Sequence, residues 1–494
     1  MASIKSLAKD TVFYGLSTVV PRFLNWSLSL LYANVLPTTG QFGEVTNLYA
    51  YIGIFLVILT YGMETGFFRF VNDTEHNDPK TVYGTALFSL ATTSSLFVLL
   101  MAVLLTPLSQ WSGYASCYIG MLALIVAIDA FSALPFAYLR YQHRPVRFLF
   151  LKLFSVILNI TLNLFFFIVC PYLQQHLPGS IDWFYNTDFG VGYILVANLV
   201  SSAATLLMLL PELCFGRWVF DGKLLKRILN YSYPILLLGI AGNLNQNIDK
   251  ILYPLLDKSP GAMNQLGIYS ASYKIAVVMV MFTTAFRFAY EPFIFDRKKK
   301  DSDNKHNYAE AMRYFIIFSC IIFVGVMSFI DLVKVVLPSS YYAGLYVIPI
   351  VMVAEMFSGI FFNLSVWYKV TDRTQWGAWF SFGGFAITLV GNVLFVPRFG
   401  YMACAWTAFA CFFFVMIASY LMGRHYYPIP YDLRSAGRYF SLLILFLFLY
   451  YGVNIDNLTL RLLFRTVLFV LFLVYVVKKD LPLRQIPFLN RWIK

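Results

Sequence analysis

Long runs of apolar residues, separated by short polar segments, occupy most of the chain. A helix that crosses a membrane needs about 20 mostly apolar residues. A window of that length finds fourteen candidate spans, of which the first, seventh and eighth are more polar than the rest. The pattern therefore predicts an all-α polytopic membrane protein with fourteen transmembrane helices. The spans lie at about residues 12–36, 44–67, 84–107, 117–138, 148–170, 190–213, 231–255, 265–290, 311–333, 344–367, 376–396, 401–422, 438–453 and 460–477.

The composition agrees with this pattern. Hydrophobic residues make up 60% of the 494 residues and charged residues 12%, whereas soluble domains are typically about 45–50% apolar and about 25% charged. A water-soluble chain of this size could not bury so much apolar surface. The composition excludes a soluble enzyme, a nucleic-acid-binding protein and a disordered protein as descriptions of the whole chain.

Lysine and arginine are distributed unevenly among the predicted loops. With the N-terminus inside, the loops and helix ends on that side hold 28 of the 37 basic residues, the opposite side holds 4, and 5 lie within helices. Loops rich in lysine and arginine face the cytoplasm. We therefore predict that both termini are cytoplasmic, and that the formal net charge of +13 reflects topology and not a nucleic-acid partner.

Cysteine and histidine give no sign of a metal or a cofactor. The six cysteines lie in or beside apolar segments without CxxC spacing, and the five histidines lie in predicted loops without an i, i+4 pair. Structural and catalytic metal sites normally need such spacings. We predict no metal site, no cofactor and no catalytic residue.

An internal repeat connects the two halves of the chain. IDAFSALPF in span four matches AEMFSGIFF in span ten, which pairs Asp129 with Glu355 at an offset of 226. GEVTNLYAY entering span two matches GIYSASYKI entering span eight, and NITLN in span five resembles AITLVGN in span eleven. Duplicated helix bundles are common in transporters. We predict two pseudo-symmetric six-helix lobes, residues 1–213 and 214–422, followed by a C-terminal helix pair and cytoplasmic tail in 423–494.

Polar side chains follow one face of spans one and seven, which are repeat partners. Each stripe combines a cation with amide or hydroxyl groups, which are expensive at bilayer depth unless they face protein or water. Amides and hydroxyls exchange hydrogen bonds with sugar hydroxyls, and cations pair with phosphate oxygens. The stripes therefore favour a cavity for a sugar-phosphate headgroup; the alternative is that they cross-link helices in a packed bundle. The candidate phosphate ligands are Arg22, Lys250 and Lys274, and the candidate glycan ligands are Asn25, Ser29, Asn243, Gln246 and Asn247.

The remaining intramembrane charges form three groups. Asp129 and Glu355, which are repeat-related, are candidates for carrying a coupling proton or sodium ion, or for balancing the cavity cations. Two further groups are candidate ion pairs, with either a structural or a gating role: Glu64 with Arg69, and Arg287 with Glu291. The sequence does not decide between these roles.

Three stretches carry a family resemblance: TYGMETGFFRF (60–70), NIDKILYPLL followed by LGIYSASYKIAV, and GNVLFVPRFGYMACAWTAF (391–409). With them, the chain resembles the O-antigen (Wzx-type) polysaccharide flippases of the multidrug/oligosaccharidyl-lipid/polysaccharide (MOP) exporter superfamily. The resemblance implies a V-shaped bundle in the bacterial inner membrane. It also implies alternating-access transfer of undecaprenyl-pyrophosphate-linked oligosaccharide to the outer leaflet for cell-surface polysaccharide or lipopolysaccharide synthesis, alongside membrane lipids and other polysaccharide-assembly proteins.

Three alternatives stay open at this point. An ion-coupled multidrug exporter on the same scaffold would need an acid-dominated cavity and typically has twelve spans. A peptidoglycan-precursor flippase shares the fourteen-helix plan. A membrane glycosyltransferase or polymerase would need catalytic carboxylates on a sizeable external loop, and the loops here are short. A non-enzymatic flippase is the expectation.

Overall fold

The structure, a computed structural model, describes residues 4–73, 78–213, 219–298, 305–371 and 373–480. Within these ranges the description leaves out the side chains of residues 4–19, 288–289 and 291–298. All regular structure in the described ranges is helical. This confirms the all-α class that the long apolar runs predict.

The helices follow one another with short connections. A π-helical segment, Phe165–Val169, joins α7 to α8, and 3-10 turns precede α9 and α15. The helices are α1 Ile4–Val35, α2 Thr39–Thr60, α3 Met63–Val71, α4 Pro79–Val103, α5 Leu105–Ser112, α6 Ser116–Tyr141, α7 Pro145–Leu164, α8 Cys170–His176, α9 Gly192–Met208, α10 Leu210–Leu213, α11 Gly222–Leu256, α12 Ala262–Lys298, α13 Lys305–Ser328, α14 Ile330–Val333, α15 Val347–Leu364, α16 Val366–Val370, α17 Gln375–Phe399, α18 Tyr401–Tyr426, α19 Leu433–Gly452 and α20 Leu458–Lys479.

Among the described residues, eleven helical segments are long and apolar enough to cross a membrane. The protein is therefore a multi-pass membrane protein. The other three predicted spans correspond to α1 and α11, which carry the polar stripes, and to α9, an apolar helix of 17 residues. The count of fourteen stays a prediction, because length and composition alone do not qualify these three helices.

Short polar side chains set the points at which several helices begin. Thr38 accepts a hydrogen bond from the Gln41 amide at the start of α2, and Asp78 accepts one from the Thr81 amide at the start of α4. Asp221 caps α11 in the same way. Such caps satisfy amide groups that have no partner within the helix. They fix the loop-to-helix junctions where the chain enters each span.

The chain divides into two compact units, each described here by itself: Met1–Ser270 with Asn392–Gly400, and Ala271–Gly391 with Tyr401–Lys494. In the first unit, α2 packs against α6 and α11, and α1 packs against α7. The seventh span therefore lies with the N-terminal helices. The boundary between the units falls inside α12, while the two six-helix lobes with their bounds, which rest on the sequence repeat, stay a prediction.

Within the first unit, the starts of α2 and α12 cross in backbone contact at two glycines. A Cβ atom on Gly43 would lie 2.1 Å from the Met263 carbonyl oxygen, and one on Gly267 would lie 1.8 Å from the Thr39 carbonyl oxygen. Neither position can hold a larger residue without separating the helices. These two glycines are the residues that the internal repeat aligns with each other, so the repeat-related helices meet at equivalent positions.

The second unit is built around α15, which packs against α13 and α18, while α13 also contacts α19 and α20. At one end of α13, the Asp331 carboxylate is 7% exposed and faces three cations. Its oxygens lie 2.6 Å from Lys334 Nζ, 2.8 Å from Arg461 Nε and 2.7 Å from Arg465 Nη1. The two arginines belong to α20 and Asp331 to α14, so this cluster ties the last helix to the short helix that follows α13.

Replacing Asp331 with asparagine is expected to destabilise the second unit by about 3 kcal/mol, because it leaves cations without their counter-charge in a partly buried site. Burial alone would raise the pKa of the Asp331 carboxyl, but the Lys334 hydrogen bond and the three positive charges outweigh burial and lower this pKa. The stabilisation should therefore be present above about pH 4 and disappear as pH falls through the lowered pKa. Thermal unfolding of purified protein across pH measures both effects.

Asp456 offers a matched control, since it lies exposed in the neighbouring loop. The Asp456→Asn variant should unfold at the wild-type temperature. Equal unfolding temperatures for wild type and Asp331→Asn at neutral pH would contradict the role given to the cluster.

Candidate functional site

The polar stripe of α1 changes from exposed to buried along the helix. Arg22 and Asn25 are exposed, Ser29 is half-buried, and Tyr32 is 3% exposed. The Ser29 hydroxyl donates to the Asn25 main-chain carbonyl oxygen at 3.0 Å. Residues three or four apart share a helix face, so Arg22 and Asn25 present one accessible polar surface. Thr18 belongs to the same stripe in the sequence, but its side chain lies outside the described residues.

The stripe of α11 shows the same gradient. Gln246 is exposed, Asn243 and Asn247 are half-buried, and Lys250 is 9% exposed. Asn247 Nδ2 lies 3.2 Å from Asn243 Oδ1, and both amides border Gly53 of α2. In this conformation Asn243 and Asn247 contact a neighbouring helix, while Gln246 keeps an accessible amide.

Lys250 is part of a buried network. Its ammonium donates to the Gln246 carbonyl oxygen at 2.8 Å and lies 3.2 Å from Asp249 Oδ1. The hydroxyl of Tyr269, on α12, donates to the other Asp249 oxygen at 2.7 Å. Asn47 of α2 donates to the Lys250 carbonyl oxygen at 2.7 Å. Lys250 therefore holds α2, α11 and α12 together, and it would reach a phosphate only after leaving Asp249.

The two cations lie at different depths along their helices. At 1.5 Å per residue, Arg22 is about 20 Å from the end of α1 at Val35, and Lys250 is about 9 Å from the end of α11 at Leu256. Both ends are external in the predicted topology. The residues of both stripes are thus buried near the predicted outer side, where the glycine crossing of α2 and α12 also lies. Nearer the predicted inner side they are more exposed. Lys274, on α12 in the second unit, is half-buried.

A second polar cluster surrounds Asp129 in the first unit. Asp129 accepts a hydrogen bond from Ser202 and lies in electrostatic range of Tyr49 and Lys152. Asn198 Nδ2 donates to the Tyr49 hydroxyl at 3.2 Å. A carboxylate, a phenol and an ammonium therefore interact electrostatically within the first unit.

The second unit repeats part of this arrangement. The Tyr273 hydroxyl donates to Glu355 Oε1 at 2.8 Å. The sequence repeat aligns Tyr273 with Tyr49 and Glu355 with Asp129. Each aligned tyrosine thus interacts with the aligned acid, Tyr273 through a hydrogen bond and Tyr49 electrostatically.

One of the two candidate gating pairs has a different partner from the predicted one. Glu64 forms its ion pair with Arg140 of α6 and not with Arg69, which is exposed. The prediction was wrong on the partner because a carboxylate can reach a cation on a packed neighbouring helix as easily as one along its own chain. Arg287 lies over the Phe362 ring at 4.8 Å, and the Glu291 side chain falls outside the described residues.

Nothing in the described residues resembles a metal centre. No group of three or more histidine, cysteine, aspartate or glutamate side chains there could hold a metal ion. The chemistry available to the stripes is hydrogen bonding and pairing with an anion.

A comparison with known protein families identifies the family of this chain. Residues 7–296 match the family described as polysaccharide biosynthesis protein. The chain belongs to this family. None of the curated proteins matches the chain at a significant level.

This polysaccharide biosynthesis protein shares its fold with solved transporters. The lipid II flippase MurJ in an inward closed conformation superposes with a TM-score of 0.73 at 11% identity, over 94% of this chain and 99% of MurJ. An inward-facing multidrug resistance MATE transporter of the MOP superfamily gives 0.63 at 14% identity, over 84% and 97%. A MOP superfamily transporter from Pyrococcus furiosus, described as having a binding pocket of reverse polarity, gives 0.55 at 14% identity, over 84% and 95%. These likenesses confirm the MOP exporter fold.

Sequence reasoning on this polysaccharide biosynthesis protein missed several residues of the polar networks. Asn47, Tyr269 and Lys152 each lie in an apolar helix without a stripe, so no periodic signal marks them. In the sequence, Arg140 is simply one of the basic residues on the predicted cytoplasmic side. Only the packing of α6 against α3 shows that it neutralises Glu64.

Proposed function

We propose that this protein is a flippase for lipid-linked oligosaccharide. It would move undecaprenyl-pyrophosphate-linked glycan units from the inner to the outer leaflet by alternating access, for O-antigen or a related cell-surface polysaccharide. The observation that carries the proposal is the accessible polar face of Arg22 and Asn25 on α1, the helix that corresponds to the first predicted span. Membership of the polysaccharide biosynthesis family and the fold shared with a lipid II flippase support it.

The physical task is to carry a charged, hydrated headgroup past the hydrocarbon core while the polyprenyl tail stays in lipid. A charge at the bilayer centre is costly unless it is paired or hydrated. Arg22 would pair with the pyrophosphate through its fork of N–H donors. Asn25, Ser29 and Gln246 would exchange hydrogen bonds with sugar hydroxyls.

Lys250 would act later in the transport cycle. Its pairing with Asp249 holds the ends of α2, α11 and α12 together in the present conformation. A pyrophosphate that competes with Asp249 for Lys250 would weaken this network and favour opening of the predicted outer side. Lys274 would add a cation from α12, while Asn243 and Asn247 would become available once α11 moves away from Gly53.

Asp129 and Glu355 are the proposed coupling groups for protons or sodium ions. If they couple, Asp129→Asn and Glu355→Gln should each abolish the acceleration of transport by a pH or sodium gradient while leaving gradient-independent exchange. Vesicles with imposed gradients measure this. A gradient response that survives both substitutions would assign the two acids a structural role only.

Two other functions share the scaffold. The fold likeness to MATE transporters and the two half-buried acids, Asp129 and Glu355, favour an ion-coupled multidrug exporter as the second candidate. A peptidoglycan-precursor flippase is the third, on the likeness to MurJ.

One experiment separates the three functions. Purified protein in liposomes is given a fluorescent lipid-linked oligosaccharide, fluorescent lipid II, or a cationic dye. The proposal predicts transfer of the oligosaccharide headgroup to the opposite leaflet. Transfer of lipid II alone, or of the dye alone, would contradict it.

The proposed location is the bacterial inner membrane, with both termini in the cytoplasm and other polysaccharide-assembly proteins as partners. The uneven distribution of basic residues supports this orientation. Reporter fusions at each end of the chain test it.

A further inference from the structure

An aromatic cavity lies at the end of α7, beside the loop that leads to α9. It has a volume of about 560 Å³, within the range of about 300–1,000 Å³ that is usual for ligand sites. The predicted topology places it on the external side. The cavity is lined by Phe166, Phe184, Asn186, Asp188, Phe189, Tyr193 and Val196.

The rings around the cavity are held in fixed positions. Phe166 stacks on Tyr193 with ring centroids 4.7 Å apart, and Phe189 meets Tyr193 edge-on at 4.9 Å. The Tyr118 hydroxyl donates to the Phe189 carbonyl oxygen at 2.8 Å. Phe166 itself lies in the π-helical segment, and such segments frequently mark functional sites. The aromatic faces are therefore preorganised.

Two polar side chains in the cavity wall retain unused hydrogen-bonding groups. The Asn186 amide nitrogen of the main chain donates to the Tyr193 hydroxyl, and Asn186 Oδ1 accepts from the Asp188 amide. Within the described part of the chain, the Asn186 side-chain NH₂ and the Asp188 carboxylate have no protein partner. The cavity thus offers one donor group and one charged acceptor next to aromatic faces.

The charge of this region selects the class of ligand. No lysine or arginine lies between Lys152 and Arg217, whereas the external loop carries Asp182 and Asp188. A phosphate or an acidic headgroup would be repelled. A cation would leave the Asn186 donor unused. A neutral sugar satisfies both groups, because each hydroxyl donates and accepts, and its C–H faces can pack on the electron-rich ring faces.

We propose that this cavity is an external binding site for a neutral sugar unit of the transported glycan, an inference that rests on the proposed flippase function. The site would take the oligosaccharide portion and not the pyrophosphate. It would hold the glycan after the headgroup has crossed the membrane. Gly190, at φ +43° and against the Gln41 side chain, connects this loop to the first turn of α2, the helix that forms the glycine crossing.

The test is binding to an array of lipid-free bacterial surface oligosaccharides, neutral and acidic, with the protein held in nanodiscs. We expect neutral members to bind. Asp188→Ala and Phe184→Ala should each weaken this binding at least about tenfold, as expected for losing a hydrogen bond to a charged group or a stacked ring. Phe184 is 37% exposed and Asp188 is exposed, so neither change should prevent folding.

Matched controls lie in the same loop region. Asp182, whose carboxylate lies 3.3 Å from Gln174 Nε2, and Tyr172, which stacks on His176 at 4.0 Å, do not line the cavity. Their alanine variants should bind as wild type does. If Tyr172→Ala weakened binding as much as Phe184→Ala, the rings would be general interfacial anchors, and the inference would be overturned.

Two other results would also overturn it: no neutral oligosaccharide bound by wild type, or a preference for acidic ones. The liposome assay on the same preparation separates this inference from the proposed function. Array binding without lipid-linked transfer would refute the flippase proposal and leave a sugar site. Transfer without array binding would refute the external site alone.

Discussion

Replacing Arg22 with alanine is expected to slow headgroup transfer by about ten- to a hundredfold. A hydrogen bond to a charged group contributes about 1.5–3 kcal/mol, and each 1.4 kcal/mol corresponds to a factor of ten. Because the Arg22 side chain is exposed, its removal should leave the unfolding temperature unchanged. Initial rates of transfer in liposomes, measured beside thermal unfolding, check both statements.

Two variants control this experiment. Arg22→Lys keeps the charge but loses the two-pronged geometry, so its rate should fall between wild type and alanine. Arg69→Ala removes another exposed arginine, from α3, and should transport normally. If Arg22→Ala transported at the wild-type rate, the stripe of α1 would have no part in holding an anion.

Replacing Gly267 with valine is expected to abolish transport and to lower stability strongly. The added Cβ would lie 1.8 Å from the Thr39 carbonyl oxygen, a main-chain atom that cannot move aside as a side chain can. Overpacking usually costs about 1–3 kcal/mol, and a clash between two backbones should reach the upper end of that range or exceed it. Size-exclusion profiles after heating, together with transfer rates, measure the effect.

Gly242 is the matched control, since it lies in α11 of the same unit and a Cβ there would meet nothing within 4 Å. The Gly242→Val variant should remain folded. Gly43→Val should reproduce the defect of Gly267→Val, because its Cβ would lie 2.1 Å from the Met263 carbonyl oxygen. A Gly267→Val protein with normal stability and transport would show that the crossing of α2 and α12 is dispensable.

Much of the fold was predictable because it depends on periodic signals. Apolar runs of about 20 residues identify the helices. The excess of basic residues on one side agrees with spans that alternate in direction across the membrane. The duplication itself stays a prediction. Residues that the repeat aligns do share contacts, since Gly43 and Gly267 lie in the crossing of α2 and α12 and Tyr273 donates to Glu355.

The pairing of charges was harder to predict. Adjacent residues on a helix do not face each other, so Asp249 did not suggest a partner for Lys250. The structure shows the long lysine side chain returning along α11 to the Gln246 carbonyl oxygen, while Tyr269 fixes Asp249. Such contacts depend on which helices pack together, and the hydrophobic pattern does not specify that.

The external cavity could not be predicted either. Its rings come from the π-helical segment after α7, from α9 and from the connection between α8 and α9, which has no hydrophobic period. The sequence shows only an aromatic-rich, acidic segment, which is also typical of an interfacial anchor. The three-dimensional placement of Asn186 and Asp188 beside the rings is what favours a binding site over a belt of aromatic residues at the membrane surface.

The central claim is that the exposed face of α1 holds the headgroup. Its most direct test places a photoreactive amino acid at position 25 or at position 23 and illuminates the protein with lipid-linked oligosaccharide. Asn25 shares the Arg22 face, whereas Phe23, 53% exposed, lies on the other side of the helix. The account predicts a crosslink to the glycan from position 25, lost on adding excess unlabelled substrate, and none from position 23. Equal labelling from both positions, or labelling from position 23 alone, would contradict it.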